Sequence, residues 1–419
     1  MLSNIVIFIG AGFSAPAQFP IQNRIIKEMI KPIGKDFLSA STDFENEKFY
    51  ISYIEVALFL LDNYTNISIK EYLNRYTELL EQSKTLLIEK AFISTLYKNA
   101  TIRKEIEATK ILKMVFEEKN QIADIYIQTQ QIAQLARLKE TLRRELSNYS
   151  IDIDLEELFT KLDICVRSQV NWKDYSYTKL DHIRQSLLLL FIYYFGIKDA
   201  SFVIDGNYQS FAQYLSNNRV SIITTNWDTI CEQIVLNSNK EIDLCLGYND
   251  IRKRNKRDTI RVAKVHGSIN WFTCLNCGRV NVKERTQEAS FLLQKQGEFC
   301  SRCNCKQEGT YQFVPEIITP TMIKTFSHNV YSNIWQNAEV ILQSATKIIF
   351  VGYSMPLADF ELRQLLTKYL PVGAEIHVVL HNNDRKTTDK EAPEDRYKRT
   401  FPKNKMQFYY DGFTAYFDT

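Results

Sequence analysis

Six groups of residues in this chain have types and spacing suited to chemistry. The first is Gly10-Ala11-Gly12-Phe13-Ser14-Ala15, directly after the apolar run Ile5–Ile9. Two glycines one residue apart let a backbone turn sharply and approach a phosphate, and a following helix would offer its amides to that charge. Alone, Gly-x-Gly-x-x-Ala is also the pattern of a plain tight turn. The others are Thr224-Thr225-Asn226-Trp227-Asp228, His266-Gly267-Ser268, Gly352-Tyr353-Ser354 and His381-Asn382-Asn383-Asp384, each following a short apolar run. Singly they read as helix caps at Asn226 and Asp228, or a satisfied buried imidazole at His266. Together they would converge on one sheet edge, where open α/β sheets bind ligands. The sixth group is Cys274-x-x-Cys277 and Cys300-x-x-Cys303, with 22 residues between the pairs. Two such hooks have the spacing of a tetrahedral four-thiolate zinc site. With every position filled by protein, the metal would be structural. Cys305 is a spare ligand that could stand in for Cys303.

Positioning these groups requires strands. Ile5–Ile9, Val220–Ile223, Val262–Val265, Ile348–Val351 and Ile376–Leu380 are near-continuous apolar runs, as expected of strands buried on both faces of a parallel sheet. Helical segments at Asn333–Ser344 and Phe360–Leu370 alternate with the later ones. The expected fold class is α/β, a Rossmann-like doubly wound parallel sheet. Between Lys35 and Phe195 there is neither glycine nor proline. Helical spacing recurs there in Tyr53-Val56-Leu60 and in Ile125, Ile132, Leu135, Leu142 and Leu146. The block therefore reads as a large all-α insertion. The expected domains are residues 1–30 and 200–419 as the Rossmann-like part, 31–199 as the insertion, and 272–312 as a nested zinc ribbon.

Composition excludes several classes. Hydrophobic residues at 45% and charged residues at 24% are globular, not disordered. A formal net charge of +3 gives no global field for nucleic acid or anionic lipid. The basic run Arg252-Lys253-Arg254-Asn255-Lys256-Arg257 reads first as a solvated loop, with contact to a polyanion or acidic partner as the alternative. The longest apolar stretch, Leu187–Phe195, falls far short of the ~20 residues a membrane helix needs. No basic segment precedes Ile5–Ile9 to suggest a secretory signal. Clustered cysteines point to metal in a reducing compartment, so a cytoplasmic location is expected.

In order and combination, Gly-Ala-Gly-x-Ser followed by Pro20, Thr-x-Asn-x-Asp, His-Gly-Ser eight residues before the cysteines, and the late Gly-x-Ser resemble the sirtuin superfamily. The resemblance covers residues 1–30 and 200–390. It implies a domain that binds NAD and cleaves its nicotinamide–ribose bond. Carried onto this chain, it places Ala11, Gly12 and Ser14 against the pyrophosphate and ribose. It sets Thr225, Asn226 and Asp228 at the nicotinamide ribose and makes His266 the catalytic histidine beside Asn226. Gly352, Ser354 and Asn382 would hold the adenosine half, and Cys274, Cys277, Cys300 and Cys303 the zinc. Two departures stand out from the protein-deacylating members. Ile21-Gln22-Asn23 replaces their acidic-aromatic-arginine triplet, and Pro315-Glu316-Ile317-Ile318-Thr319 leads to Pro320-Thr321-Met322 instead of Phe-Gly-Glu.

The helical insert, Gly352-Tyr353-Ser354-Met355-Pro356-Leu357-Ala358-Asp359 and Asp154-Leu155-Glu156-Glu157-Leu158 resemble the sirtuin-like branch of bacterial immunity proteins. That branch implies hydrolysis of NAD itself in antiviral defence. Asn226 would position a water and His266 accept a proton. The alternatives are an NAD-dependent lysine deacylase and a catalytically weak NAD-binding assembly module. The α/β pattern runs to Phe408-Tyr409-Tyr410, leaving no room for a separate sensor domain. Control is therefore expected through homo-oligomerisation or a protein partner contacting the insert. The resemblance suggests a HerA-type ATPase or an Argonaute-like protein, with no nucleic acid or membrane bound directly.

Overall fold

Strand β1 (Ile5–Ile9) sits at the centre of a seven-stranded sheet, and its neighbours come from far along the chain. This computed structural model describes residues 4–19, 25–30, 43–79, 81, 133–148, 153–247, 258–274, 276–283, 313–319, 321, 329–381 and 392–418. On one side β1 pairs in parallel with β2 (Val220–Thr224), Ile5 opposite Val220, and beyond it lie β4 (Thr259–Lys264) and the short β3 (Glu241–Asp243). On the other side β1 pairs with β8 (Lys347–Val351), Ile5 opposite Lys347, followed by β9 (Glu375–Val379) and β10 (Met406–Tyr409). The strand order β10-β9-β8-β1-β2-β4-β3 is parallel throughout. The chain moves right from β1 and later returns to its left, so direction switches between β1 and β8. Ligands of open α/β sheets sit at that switch, beyond the carboxyl ends of the strands.

The five apolar runs form strands because both faces are covered. Side chains of a strand alternate between faces. Ile7, Ile9, Ile222 and Val262 join one core, while Val6, Phe8, Ile223, Ala263, Phe350 and Ile376 join the other. The second core is closed by α7 (Asn329–Gln343), α8 (Phe360–Tyr369) and α9 (Pro393–Thr400), through Ile334, Leu366 and Tyr397. The first core is closed mainly by the helical block. There α1 (Ile25–Ile30), α2 (Asp43–Tyr64), the helical run 133–148, α3 (Leu155–Ser168) and α4 (Tyr177–Ser201) share one continuous core with the sheet. The same core takes in α5 (Gly206–Asn217), α6 (Ile230–Asn237) and α10 (Gly412–Phe417).

Helical spacing in the glycine-free block marks buried faces where it falls on described residues. Tyr53, Val56 and Leu60 are buried on α2, and Leu135, Leu142 and Leu146 on the run 133–148. Ile125 and Ile132 lie outside the described residues. Asp154 caps α3 by accepting from the Glu156 and Glu157 amides, the acidic N-terminal pattern that starts a helix. Leu187–Phe195, the longest apolar stretch, lies within α4 and is mostly buried in protein. Among the described residues no single helix is long and apolar enough to cross a membrane. The bent pair α4–α5, which turns by 84°, meets that test only on length and composition.

A second sheet of three antiparallel strands has the order β6-β5-β7, with β5 at Gly267–Cys274, β6 at Val280–Val282 and β7 at Phe313–Ile317. All eight residues of β5 are buried. Cys274 ends β5, and Cys277 lies in the turn leading to β6, which is closed by Gly278 N–H to Cys274 O at 2.8 Å. Cys300, Cys303 and Cys305 lie outside the described residues, as do Arg252–Arg257.

Candidate functional site

At the carboxyl end of β1, Ala11–Phe13 form a single 3-10 turn. The expectation of a helix starting at this loop is corrected: the next described helix, α1, begins at Ile25. The turn uses its own amides. Gly12 N–H donates to Gly352 O at 2.9 Å, Phe13 N–H to Gly10 O at 3.0 Å and Ser14 N–H to Ala11 O at 3.2 Å. The loop is packed directly on the turn after β8. Gly352 has φ +61°, and a Cβ there would fall 2.4 Å from Phe13 N, so only glycine fits. Two of the glycine groups are thus one unit at the switch point. Ala11 and Ser354 are exposed, Gly12, Thr225 and Gly352 are partly buried, and Thr225 N–H donates to Ile9 O at 3.2 Å.

Ser14, Asn226 and Asp228 come together across more than 200 residues of sequence. Asn226 Nδ2 donates to Ser14 Oγ at 2.9 Å, and Ser14 Oγ donates to Asp228 Oδ2 at 2.9 Å. The Asn226 amide N–H is fixed by Thr224 Oγ1 at 3.0 Å, and Asp228 Oδ1 accepts from the Ile230 amide at 3.2 Å. All three side chains are buried. Burial raises the Asp228 carboxyl, and the Lys264 ammonium and Ser14 hydroxyl pull it back down.

Sequence reasoning passed over four polar residues that support this chain. Lys264, the last residue of β4, is fully buried; its Nζ donates to Asp228 O and pairs with Glu232 Oε1 at 2.8 Å. Asp199, in the last turns of α4, accepts from the Thr229 amide at 2.9 Å and from the Thr229 hydroxyl. Burial pushes its carboxyl up to about 7, against the pull of the Thr229 bonds. Trp227 stands edge-on to Phe191 and Phe195 of α4, at ring distances of 5.1 and 6.3 Å. The helical block therefore touches the Thr-Asn-Trp-Asp loop directly. A buried lysine ending a strand, in Lys264-Val265-His266, was a visible signal; a lone aspartate before Ala200 was not.

His266 lies in the two-residue turn from β4 to β5, one strand over from Asn226. It is buried, and its carbonyl accepts from Ile318 N–H at 2.9 Å. Gly267 makes the turn at φ +79°, where a Cβ would meet Glu316 O at 2.0 Å. The carboxylate beside His266 is that of Asp359, with Oδ1 3.8 Å from Nε2. The fifth group contributes a bridge from His381 to Asp411, while Asn382, Asn383 and Asp384 lie outside the described residues. Among the described residues no three histidine, cysteine or acidic side chains are grouped to hold a metal. Of the expected four-thiolate set, Cys274 and Cys277 lie on the β5–β6 hairpin, and Cys300 and Cys303 fall outside the described residues.

No curated protein matches the chain. Among solved structures, Sir2Tm bound to a propionylated peptide is 14% identical, covering 56% of this chain and 78% of its own, with a TM-score of 0.33. A Sir2–p53 peptide–NAD+ structure is 16% identical, covering 56% and 76%, with a TM-score of 0.32. A Sir2 enzyme solved in work on mechanism and regulation is 13% identical, covering 99% and 89%, with a TM-score of 0.33. The family model described as SIR2-like domain matches residues 220–401, the span that holds Thr225, Asn226, Asp228, His266, Gly352 and Ser354. Across residues 220–401, then, the chain matches the SIR2-like domain family, and that span is sirtuin-like.

Proposed function

We propose that this chain is an NAD+ glycohydrolase that cleaves NAD to nicotinamide and ADP-ribose. A SIR2-like domain supports NAD-using chemistry at family level. The observation that carries the finer reading is the buried relay Asn226–Ser14–Asp228, at a strand end next to the one bearing His266. Breaking the nicotinamide–ribose bond develops positive charge on the ribose, and a fixed carboxylate stabilises such charge in a water-poor site. Asp228, held by Ser14 and Ile230, is that carboxylate. Asn226 has its Nδ2 committed to Ser14, which leaves Oδ1 to orient a water without titrating. Water supplies the oxygen of ADP-ribose, nicotinamide leaves with the bond pair, and the released proton passes to His266.

The glycine turns would carry the rest of the dinucleotide. With the amides of Gly12, Phe13 and Ser14 turned onto protein carbonyls, Ala11 and the exposed rim of the Gly352–Ser354 turn would contact phosphate and adenosine, and the resemblance adds Asn382 to the adenosine half. Cys274 and Cys277 would hold a structural zinc with Cys300 and Cys303. In this reading residues 1–30 and 200–419 bind NAD, 31–199 are inserted, and 272–312 are a zinc ribbon. Antiviral defence, homo-oligomerisation and control by a HerA-type ATPase or an Argonaute-like partner rest on the resemblance to the immunity branch.

The test is NAD turnover with and without an acetyl-lysine peptide. A glycohydrolase releases nicotinamide at the same rate in both. Release proportional to deacetylated peptide would make the chain a deacylase instead.

A further inference from the structure

Asp359 ends the loop that follows the Gly352 turn, and its two carboxylate oxygens are used differently. Oδ2 accepts from the Tyr353 hydroxyl at 2.9 Å, and Oδ1 lies 3.8 Å from His266 Nε2. Both side chains are about nine-tenths buried, at 10% and 8% exposure. Tyr353 is itself anchored, because its carbonyl accepts from the Tyr397 hydroxyl at 2.8 Å. Burial pushes the Tyr353 phenol well above its usual range, so it remains a donor to Asp359. The Asp359 backbone is held at both ends: its amide donates to Pro356 O at 3.2 Å, and its carbonyl accepts from Arg363 N–H at 3.0 Å to open α8. The loop after β8 thus delivers a fixed carboxylate to an imidazole carried at the end of β4. At 3.8 Å the contact is longer than a hydrogen bond, but a carboxylate charge at that distance from one imidazole nitrogen still favours a proton on it, and with it the imidazolium form.

We infer that Asp359 is the positioning residue of His266: it holds the imidazole proton on Nε2, so that Nδ1 is the nitrogen that accepts a proton. The second half rests on the reading of His266 as proton acceptor in NAD cleavage; the placement of the proton does not. Other charged and titratable groups surround this turn. Asp228 and Glu232 come from the β2–α6 segment, Lys264 from β4, Glu316 from β7, Tyr331 from α7, and Tyr353 and Arg363 from the Asp359 loop and α8. Lys264 is paired with Glu232, and Glu316 faces Tyr331. Asp359 Oδ1 stands within ion-pair distance of the ring.

The test uses the full chain with ¹⁵N-labelled histidine rings, with His266 assigned among the five histidines by its loss in His266→Gln. Above its titration, wild-type His266 should be the Nε2–H tautomer; an Nδ1–H tautomer overturns the proposal. In Asp359→Asn the His266 midpoint should fall by about one pH unit or more while the other histidines stay put. An unchanged midpoint in the folded variant also overturns it. Should Asp359→Asn not fold, the wild-type tautomer decides alone. In NAD turnover, Asp359→Asn should lose about 10–10² in kcat with KM within about twofold, and Asp359→Glu should recover part of the loss. A chain that cleaves no NAD would remove the glycohydrolase reading, yet the tautomer and titration would still decide the role of Asp359.

Discussion

At the residue scale, Ser14 is where two distant segments become one site. Its hydroxyl accepts from Asn226 and donates to Asp228, so neither neighbour can move alone. Replacing it by alanine strands a buried amide donor and a buried carboxylate, at a cost of about 1–3 kcal/mol. Ser14→Ala should therefore lower stability by that amount and reduce NAD turnover, with Asn226 no longer fixed. Denaturant unfolding and turnover, measured together, check this. Undiminished turnover in a destabilised Ser14→Ala would show that the relay holds the fold and not the chemistry. The sequence made Ser14, Asn226, Asp228 and His266 visible because each follows an apolar run. It hid Asp359 as a partner for His266, since the contact joins loops from β4 and β8, and strand adjacency alone does not set the reach of a side chain.

At the element scale, the turn after β1 and the turn after β8 are locked backbone to backbone. Gly352→Ala would place a Cβ 2.4 Å from Phe13 N at φ +61°, a strain of ~1–3 kcal/mol before the clash is counted. A Cβ added at Gly373 would have nothing within 4 Å, and φ there is ordinary. Gly352→Ala should lose several degrees of melting temperature or fail to fold, whereas Gly373→Ala should melt within a degree or two of wild type. Equal melting of the two variants would contradict the packing. A second contact joins α4 to the Asn226 loop through Asp199 and Thr229. Asp199 is raised to about 7 in the fold from ~3.9 unfolded, so the native state binds the extra proton. The contribution is intact below the unfolded value, is lost as pH climbs from about 4 to 7, and totals at most about 4 kcal/mol. Asp199→Asn keeps the acceptor for Thr229 without titrating. Its melting temperature should fall less between pH 5 and pH 8 than that of wild type, and an identical fall would show that Asp199 does not titrate in that window.

At the scale of the whole molecule, the α/β alternation was legible because strands buried on both faces must be apolar at every position. Ile5–Ile9 and Ile348–Val351 show this, and both fall in the sheet. The short β3 was not legible, since Glu241-Ile242-Asp243 has only one apolar residue and gains its place by pairing with β4. The first glycine loop departs from expectation in one respect: packing against Gly352 turns its amides inward, and a 3-10 turn forms where the glycine pattern after β1 suggested a helix start. In its described residues, the glycine-free block was legible as helical from missing breakers. Its fusion to the sheet was not, because a buried helical face carries no label for what covers it. Phe191, Phe195 and Asp199 on α4 bind that block to the Asn226 loop. A change in the packing of α4 is therefore the physical route by which an event on the helices would reach the site.

The proposed cleavage of NAD by Asn226 and His266, with water as acceptor, can be measured directly on this chain. Purified protein should be incubated with NAD alone, beside Asn226→Ala and His266→Ala, with nicotinamide, ADP-ribose and cyclic product resolved. Wild type should release nicotinamide and ADP-ribose in equal amounts, and each folded variant should lose about 10²–10⁴ in rate. Near-wild-type cleavage by both variants would contradict the assignment of the site.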